Sequence, residues 1–358
     1  MNFVPGRDLS AGFYADVVRP LLENEAGAPV HSAALLGTGS EVMGFDTARS
    51  TDHGWGPRLQ MFLRDPDRAS AADLARYLDE RLPETFHGVP VRFPYPRETN
   101  PVQHQVWVGD LGEFLVGILG FDPRRGVTIG DWLTTPTQAL REVACGAVFH
   151  DGLGELLPVQ QAVAWYPDEL WRHVLAAQWT RIGQEEAFVG RCGEVGDELG
   201  SAVVAARLAR DLMRLCLLMA RQFPPYSKWL GTAFARLPAA AALTPVLRSA
   251  LAAADWPERE AHLCAAYEIV AALHNGAGLT EWIDPTVRQF HGRPIRVIDA
   301  DRFAAALRRT VRDPQIAALP WIGAIDQFVD NTNLLTDVAL RREQVSAARL
   351  DPTAGARS

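Results

Sequence analysis

Residues that could hold a polyphosphate lie close together between positions 35 and 58, in the sequence LLGTGSEVMGFDTARSTDHGWGPR. An apolar run of strand length leads into Gly39 and Ser40, where the glycine lets the backbone approach a ligand and the serine adds a hydroxyl and an amide. Eleven residues separate Ser40 from Asp52, which we expect to open the next strand with its carboxylate toward that corner. Because Mg²⁺ prefers oxygen ligands, the pattern predicts a site for a nucleoside triphosphate with Mg²⁺ or Mn²⁺.

Two other phosphate-binding motifs do not match this segment. The dinucleotide-binding pattern G-x-G-x-x-G would need a glycine where the sequence has Val42. A P-loop needs a lysine directly after its last glycine, and this segment contains no lysine. Both motifs are therefore excluded here.

The segment directly after Asp52 is rich in residue types that carry out chemistry. His53 could ligate a metal or act as a general base, and Arg58 could hold a phosphate. The alternative is a structured turn around a half-buried Trp55. The sequence leaves both interpretations open.

A second group of candidates lies far along the chain, in PPYSKW at 224–229. Lys228 is the only lysine beside 34 arginines, so its compact ammonium could neutralise a nucleotide phosphate, and Tyr226 could pack against a ring. Aromatic residues between two helices also serve as packing anchors, and a lone lysine can stand on a solvated turn by chance. These alternatives also stay open.

The elements that must position these residues alternate over the first third of the chain. Apolar spacing predicts helices at 8–24, 70–82 and 110–119, and strands at 31–37, 57–63, 87–93 and 103–109. This is an α/β pattern around a small mixed sheet. After a turn-rich stretch at 121–131, helical spacing predicts helices at 137–146, 168–190, 197–222, 244–254, 258–274 and 301–311. The sequence thus predicts an α+β protein with domains at 1–125 and 126–350 and a disordered tail at 351–358.

The composition restricts the partners and the compartment. The net charge of −8 argues against a dedicated nucleic-acid binder, although it does not exclude a local basic patch. The four cysteines include no CxxC pair, and the first residues show no signal pattern. No apolar run approaches the roughly 18 residues of a membrane helix. These features predict a cytoplasmic protein without a membrane span.

The segment from Gly39 to Asp52 resembles the signature of the polymerase-β-type nucleotidyltransferase superfamily, in which Gly-Ser or Gly-Gly is followed, after a variable stretch, by an aspartate on a strand. Over most of its length the chain also resembles a family of uncharacterised bacterial proteins that carry the domain of unknown function DUF4037. The shared segments are FDTARSTDHGWGPRLQMFL, WTRIGQEEAFVGR, GDELGS, PPYSKWLGTAF and IDQFVDNTNLL. The resemblance implies an N-terminal nucleotidyltransferase-like α/β domain followed by a larger, mainly helical domain.

One position departs from the superfamily pattern. The second metal-binding carboxylate of the superfamily lies two residues after the first, where this chain has Gly54. The usual metal pair would therefore need Asp46 or Asp110 beside Asp52.

The resemblance implies two functions, and both stay open. One is Mg²⁺-dependent transfer of a nucleotidyl group from a nucleoside triphosphate to a small-molecule or protein acceptor. The other is a catalytically inactive nucleotide-binding or protein-interaction module. For the first, the implied catalytic residues are Asp52 and His53, the metal ligands Asp52, Asp46 and Asp110, and the nucleotide-binding residues Gly39, Ser40, Arg58, Lys228 and Tyr226.

Overall fold

The computed structural model of the protein describes residues 3–24, 29–64, 68–96 and 99–347. Its helices are α1 Gly6–Phe13, α2 Arg19–Glu23, α3 Arg68–Arg81, α4 Leu111–Leu119, α5 Ile129–Thr134, α6 Thr137–Ala144, α7 Leu156–Ala162, α8 Asp168–Glu185, α9 Phe188–Glu194, α10 Glu198–Met219, α11 Ser227–Ala235, α12 Ala240–Ala252, α13 Trp256–Gly276, α14 Asp301–Thr310, α15 Pro314–Ala317, α16 Thr332–Thr336 and α17 Val338–Ala347. Its strands are β1 His31–Leu35, β2 Arg58–Leu63, β3 Thr85–Phe86, β4 Val89–Pro90, β5 Arg92–Pro94, β6 Val102–Asp110, β7 Ala147–Asp151, β8 Arg288–Gln289 and β9 Arg296–Val297.

The chain divides into two compact units. The first unit comprises Met1–Val127 with Ala139–Ala164, and the second comprises Thr128–Gln138 with Trp165–Ser358. Whether residues 1–125 and 126–350 each behave as a domain stays a prediction. The tail predicted at 351–358 lies outside the described residues.

A five-stranded sheet forms the centre of the first unit, in the order β5-β6-β2-β1-β7. β1 is antiparallel to β2 and β7, whereas β2 and β6 run parallel. Because β2 is the middle strand, all six of its residues are buried, although apolar side chains alternate with Arg58 and Gln60. The sheet therefore holds a buried arginine at the start of its central strand.

Part of the core of this unit lies between α1, α3 and β2. Leu9 and Phe13 of α1 are four residues apart, so they share one helix face, and they belong to the same buried cluster as Met61 of β2 and Leu78 of α3. Burying each such side chain contributes about 1.5–3 kcal/mol. This packing holds α1 in a fixed position, and α1 also carries Asp8.

The predicted α+β class and the small mixed sheet are confirmed. The single strand predicted at 87–93 is wrong, because His87 and Gly88 adopt positive φ angles of 49° and 77° and form the turn between β3 and β4. The single helix predicted at 168–190 is also wrong, since α8 ends at Glu185 and α9 begins at Phe188. Within the described ranges, no helix combines the length and apolar character that a bilayer crossing requires.

Candidate functional site

The turn after β1 that contains Gly39 and Ser40, which we call the glycine corner, is occupied by a buried ion pair. Arg58 Nε donates to Glu41 Oε1 at 2.6 Å, and each side chain is only 4% exposed. Gly39 has a φ of +139°, and a Cβ at this position would collide with the guanidinium of Arg58. Burial lowers the pKa of Arg58, but the interactions with Glu41, Tyr95 and Glu142 together outweigh it and raise that pKa, so the guanidinium stays charged. Gly39 is thus needed for the close approach of Arg58.

Tyr95 covers the same corner from another direction. The guanidinium carbon of Arg58 lies 4.5 Å from the centroid of the Tyr95 ring. The Tyr95 hydroxyl donates to the Thr38 carbonyl oxygen at 2.6 Å, and the Arg58 guanidinium donates to the same oxygen. Burial raises the pKa of Tyr95, so this hydroxyl remains protonated and can donate. Ser40 lies in the turn that follows, where its carbonyl accepts a bond from Phe45 N at 2.8 Å.

Asp46 is engaged in a structural role. Its Oδ2 accepts a bond from the backbone N–H of Gly6 at 2.6 Å and lies 3.3 Å from Trp55 Nε1. Gly6 is the first residue of α1, so the carboxylate caps the positive end of that helix. Asp46 therefore links the N-terminus of α1 to the segment after Asp52.

Asp110 lies at the opposite end of the sheet from Asp52. It caps α4 by accepting a bond from Glu113 N at 2.9 Å. In the parallel pairing of β2 with β6, Arg58 is opposite Gln105 and Leu63 is opposite Asp110. Five residues at about 3.3 Å each put Asp110 roughly 16 Å further along the sheet than the start of β2. The structure does not bring Asp110 to Asp52.

Asp52 and His53 form a hydrogen-bonded pair. The prediction that Asp52 opens a strand is wrong, because Asp52 ends a 3₁₀ turn at Ala48–Asp52 and β2 begins at Arg58. His53 Nδ1 lies 2.6 Å from Asp52 Oδ1. The side chains are 50% and 60% exposed respectively. Donation of Nδ1–H to the carboxylate leaves Nε2 of His53 free to accept a proton.

Gly54 leaves room where the resemblance expects a second carboxylate. Its φ is +57°, and among the described residues an added Cβ would meet Pro96 O at 3.7 Å and Tyr95 Cδ2 at 3.8 Å, which are ordinary contacts. Tyr95 touches Thr38 with its hydroxyl and lies next to Gly54 with its ring edge. This side chain thus stands between the glycine corner and the segment that carries Asp52.

The donor set does not fit the predicted metal. Asp46 accepts from α1, Asp110 is remote, and Asp52 binds His53. In the part of the chain that the structure describes, no group of three or more His, Cys, Asp or Glu residues could hold a metal ion. Mg²⁺ binding by several protein oxygens at this position is therefore not supported by the residues present.

Asp52 and His53 border a pocket of about 1020 Å³, which we call the Asp52 pocket. Its walls come from α1, the segment around residue 52, the β3–β4 hairpin and β5. Its lining includes eight charged or aromatic side chains, those of Phe3, Asp8, Asp52, His53, Trp55, Phe86, His87 and Phe93. Gly39, Ser40 and Arg58 are not among the described residues that line it.

The sequence missed five of these eight lining residues, namely Phe3, Asp8, Phe86, His87 and Phe93. Gly88 inside the apolar run is a turn signal that could have separated β3 from β4. Nothing in the local pattern indicates that this hairpin faces Asp52, because that proximity arises from the packing of separate elements.

Lys228 and Tyr226 belong to the second unit. Lys228 is exposed in the first turn of α11, and its Nζ lies 4.9 Å from the ring centroid of Trp229. Tyr226 precedes α11, and its backbone N–H donates to Gln138 Oε1 at 3.1 Å. Their predicted role in nucleotide binding stays a prediction.

Comparison with known proteins supports the predicted family over part of the chain. Residues 132–230 match the sequence model of the family described as Domain of unknown function (DUF4037). The shared segments WTRIGQEEAFVGR and GDELGS lie inside that range, and PPYSKWLGTAF lies partly inside it. No curated protein matches the chain.

Proposed function

We propose that the first unit is a nucleotidyltransferase-like binding module that holds a ring-containing small molecule, such as a nucleoside, in the Asp52 pocket and works without a pair of metal ions. The observation that carries this proposal is the position of Asp52 in an aromatic-walled pocket, with Gly54 where a second carboxylate is expected. Pockets of this size hold small molecules through apolar walls and a few polar groups.

The state of the glycine corner also supports the proposal. A phosphate cradle needs accessible backbone amides and uncompensated positive charge. Here the nearest guanidinium, that of Arg58, is already neutralised by Glu41 and covered by Tyr95. Opening the corner to a triphosphate would require breaking a buried ion pair, which costs about 3–5 kcal/mol when one partner is left behind.

The binding proposal is tested by soaking crystals with adenosine and, separately, with ATP and Mn²⁺. We expect adenosine density between the pocket walls and no Mn²⁺ beside Asp52. Asp52→Asn should weaken adenosine binding, and Asp16→Asn, a change of another exposed aspartate outside the pocket lining, should not. Ring ligands that bind only elsewhere would overturn the proposal.

A second candidate is transfer of a nucleotidyl group to a small-molecule or protein acceptor, and the Asp52–His53 pair favours it. A histidine oriented by a carboxylate can take a proton from an acceptor hydroxyl. The assay follows label from an α-labelled nucleoside triphosphate with Mg²⁺ into small molecules or proteins of a cell extract. Transfer by the natural chain that disappears in Asp52→Asn would replace the binding proposal with this one.

The substitution Gly54→Asp separates the two candidates further. A φ of +57° strains any side chain, but aspartate adopts this conformation more readily than most residues, and a Cβ at this position makes only ordinary contacts with the described residues. If the missing carboxylate is the reason for the absent metal site, we expect Gly54→Asp to gain Mn²⁺ binding, measured by electron paramagnetic resonance, over the natural chain. No gain would mean that the covered corner, rather than Gly54, is the main obstacle.

A further inference from the structure

We infer that the Asp52 pocket selects a planar ligand that carries a positively charged amine and discriminates against phosphate-bearing or carboxylate-bearing ligands. This inference rests on the proposed function, because it names the ligand class of the same pocket.

The charge of the lining points to this class. Asp8 and Asp52 both line the pocket, and its described lining residues include neither arginine nor lysine. Asp8 lies in the first turn of α1, so its charge offsets the positive end of that helix. Among the described lining residues, an anion would meet two carboxylates and no arginine or lysine, whereas an ammonium would be attracted by both carboxylates.

The walls fit the same ligand. Phe86 and Phe93 are 9% and 8% exposed and form an apolar base for a flat ring. Phe3 and Trp55 form a pair with ring centroids 5.9 Å apart and planes inclined at 33°. The faces of aromatic rings carry partial negative charge, so they attract a cation as well as a second ring.

Two ligands with the same ring and opposite charge test the inference. Tryptamine and indole-3-acetate are titrated at about pH 8, where tryptamine is an ammonium and indole-3-acetate is a carboxylate. Ligand-observed NMR gives both dissociation constants. We expect tryptamine to bind roughly tenfold more tightly, because two partly exposed carboxylates favour it and oppose the acetate.

Variants show whether the discrimination comes from the pocket. Asp8→Asn and Asp52→Asn should each reduce the ratio of the two constants by roughly threefold, and the double variant should bring it close to one. Asp16→Asn removes an equal charge outside the pocket lining and should leave the ratio unchanged. Circular dichroism checks the fold of each variant, and the single variants decide the matter if the double variant does not fold.

The outcomes distinguish the inference from the proposed function. The inference would be overturned if indole-3-acetate bound as tightly as tryptamine or more tightly, or if the ratio of the two dissociation constants did not change in Asp8→Asn and Asp52→Asn. Either result would leave a ring-binding pocket in place. No tryptamine binding up to about 10 mM would also overturn it. The proposed function fails as well only if adenosine is also absent from the pocket in crystals.

Discussion

The stability of the second unit should fall on acidification, in part because of His274. This side chain is 1% exposed, accepts a bond from Trp179 Nε1 at its Nδ1 over 3.1 Å, and lies 3.1 Å from Thr280 Oγ1 through Nε2. Nδ1 is therefore the unprotonated nitrogen, and a second proton there would break the bond to Trp179. Burial lowers the pKa of His274 from 6.5 to about 4.

The loss of stability follows from the different pKa values of His274 in the folded and unfolded chains. Below pH 6.5 the unfolded chain binds a proton at His274, whereas the folded chain does not bind it until about pH 4. The free energy of unfolding therefore decreases as the pH falls through this window. The loss from this one group is about 1.3 kcal/mol between pH 7 and pH 5.5, and about 3 kcal/mol by pH 4.

The assay must isolate His274 from other buried groups. Burial also lowers the pKa of His173 to about 4, which adds a loss of the same sign. Burial raises the pKa of Glu186 to about 7, so that group favours the folded state at low pH and opposes the histidines. We therefore compare the natural chain with His274→Asn, whose side-chain oxygen can still accept from Trp179, in urea unfolding followed by circular dichroism.

The expected result is a smaller pH dependence in His274→Asn, by about 1.3 kcal/mol between pH 7 and pH 5.5. His291→Asn changes an exposed histidine and should leave the pH dependence of the natural chain intact. Coincident pH profiles for His274→Asn and the natural chain would refute the reasoning, because His274 would then titrate equally in the folded and unfolded states.

Other predictions concern single buried contacts of the second unit. Glu186→Gln should make the free energy of unfolding fall more steeply on acidification, by about 2.5 kcal/mol between pH 8 and pH 5, because it removes a buried carboxyl group whose raised pKa of about 7 favours proton uptake by the folded chain. Urea unfolding at both pH values measures this, and an unchanged pH dependence would contradict it. Gly193→Ala should cost about 1–3 kcal/mol, since its Cβ would overlap the indole of Trp256, whereas Gly276→Ala meets no atom within 4 Å and should cost nothing. Equal melting temperatures for these two variants would argue against the predicted overlap.

Local patterns predicted the central elements well. The apolar run at 31–37 and the alternation at 57–63 correspond to His31–Leu35 and Arg58–Leu63. The break between α8 and α9 was not predictable, since it carries neither glycine nor proline. Glu186 there binds the distant turn at 298–300 through three hydrogen bonds. The spacing of apolar residues along a helix reports only on nearby positions, so it cannot indicate a contact with residues more than a hundred positions away.

The roles predicted for Asp52 and His53 stay predictions, and most of the groups around them could not be predicted from the sequence. Asp52 and His53 do lie together at a pocket, because they are sequence neighbours that a capped turn holds. The polar partners of Asp46, by contrast, are a helix N-terminus and an indole contributed by other elements. Their proximity depends on the packing of α1, which no spacing within residues 35–58 can express.

The glycine corner illustrates why such a motif underdetermines its ligand. A glycine with positive φ indicates only that something approaches the backbone closely, and a phosphate and a guanidinium satisfy that condition equally well. At Gly39 the approaching group is Arg58 of the same chain, held there by Glu41 two residues further on. The same two residues, read in sequence, supply a carboxylate and a cation that could equally have faced a ligand. Because Arg58 and Glu41 bury each other to 4% exposure, this corner holds a structural ion pair instead of an open phosphate cradle. The Asp52 pocket is therefore the better candidate for a ligand site.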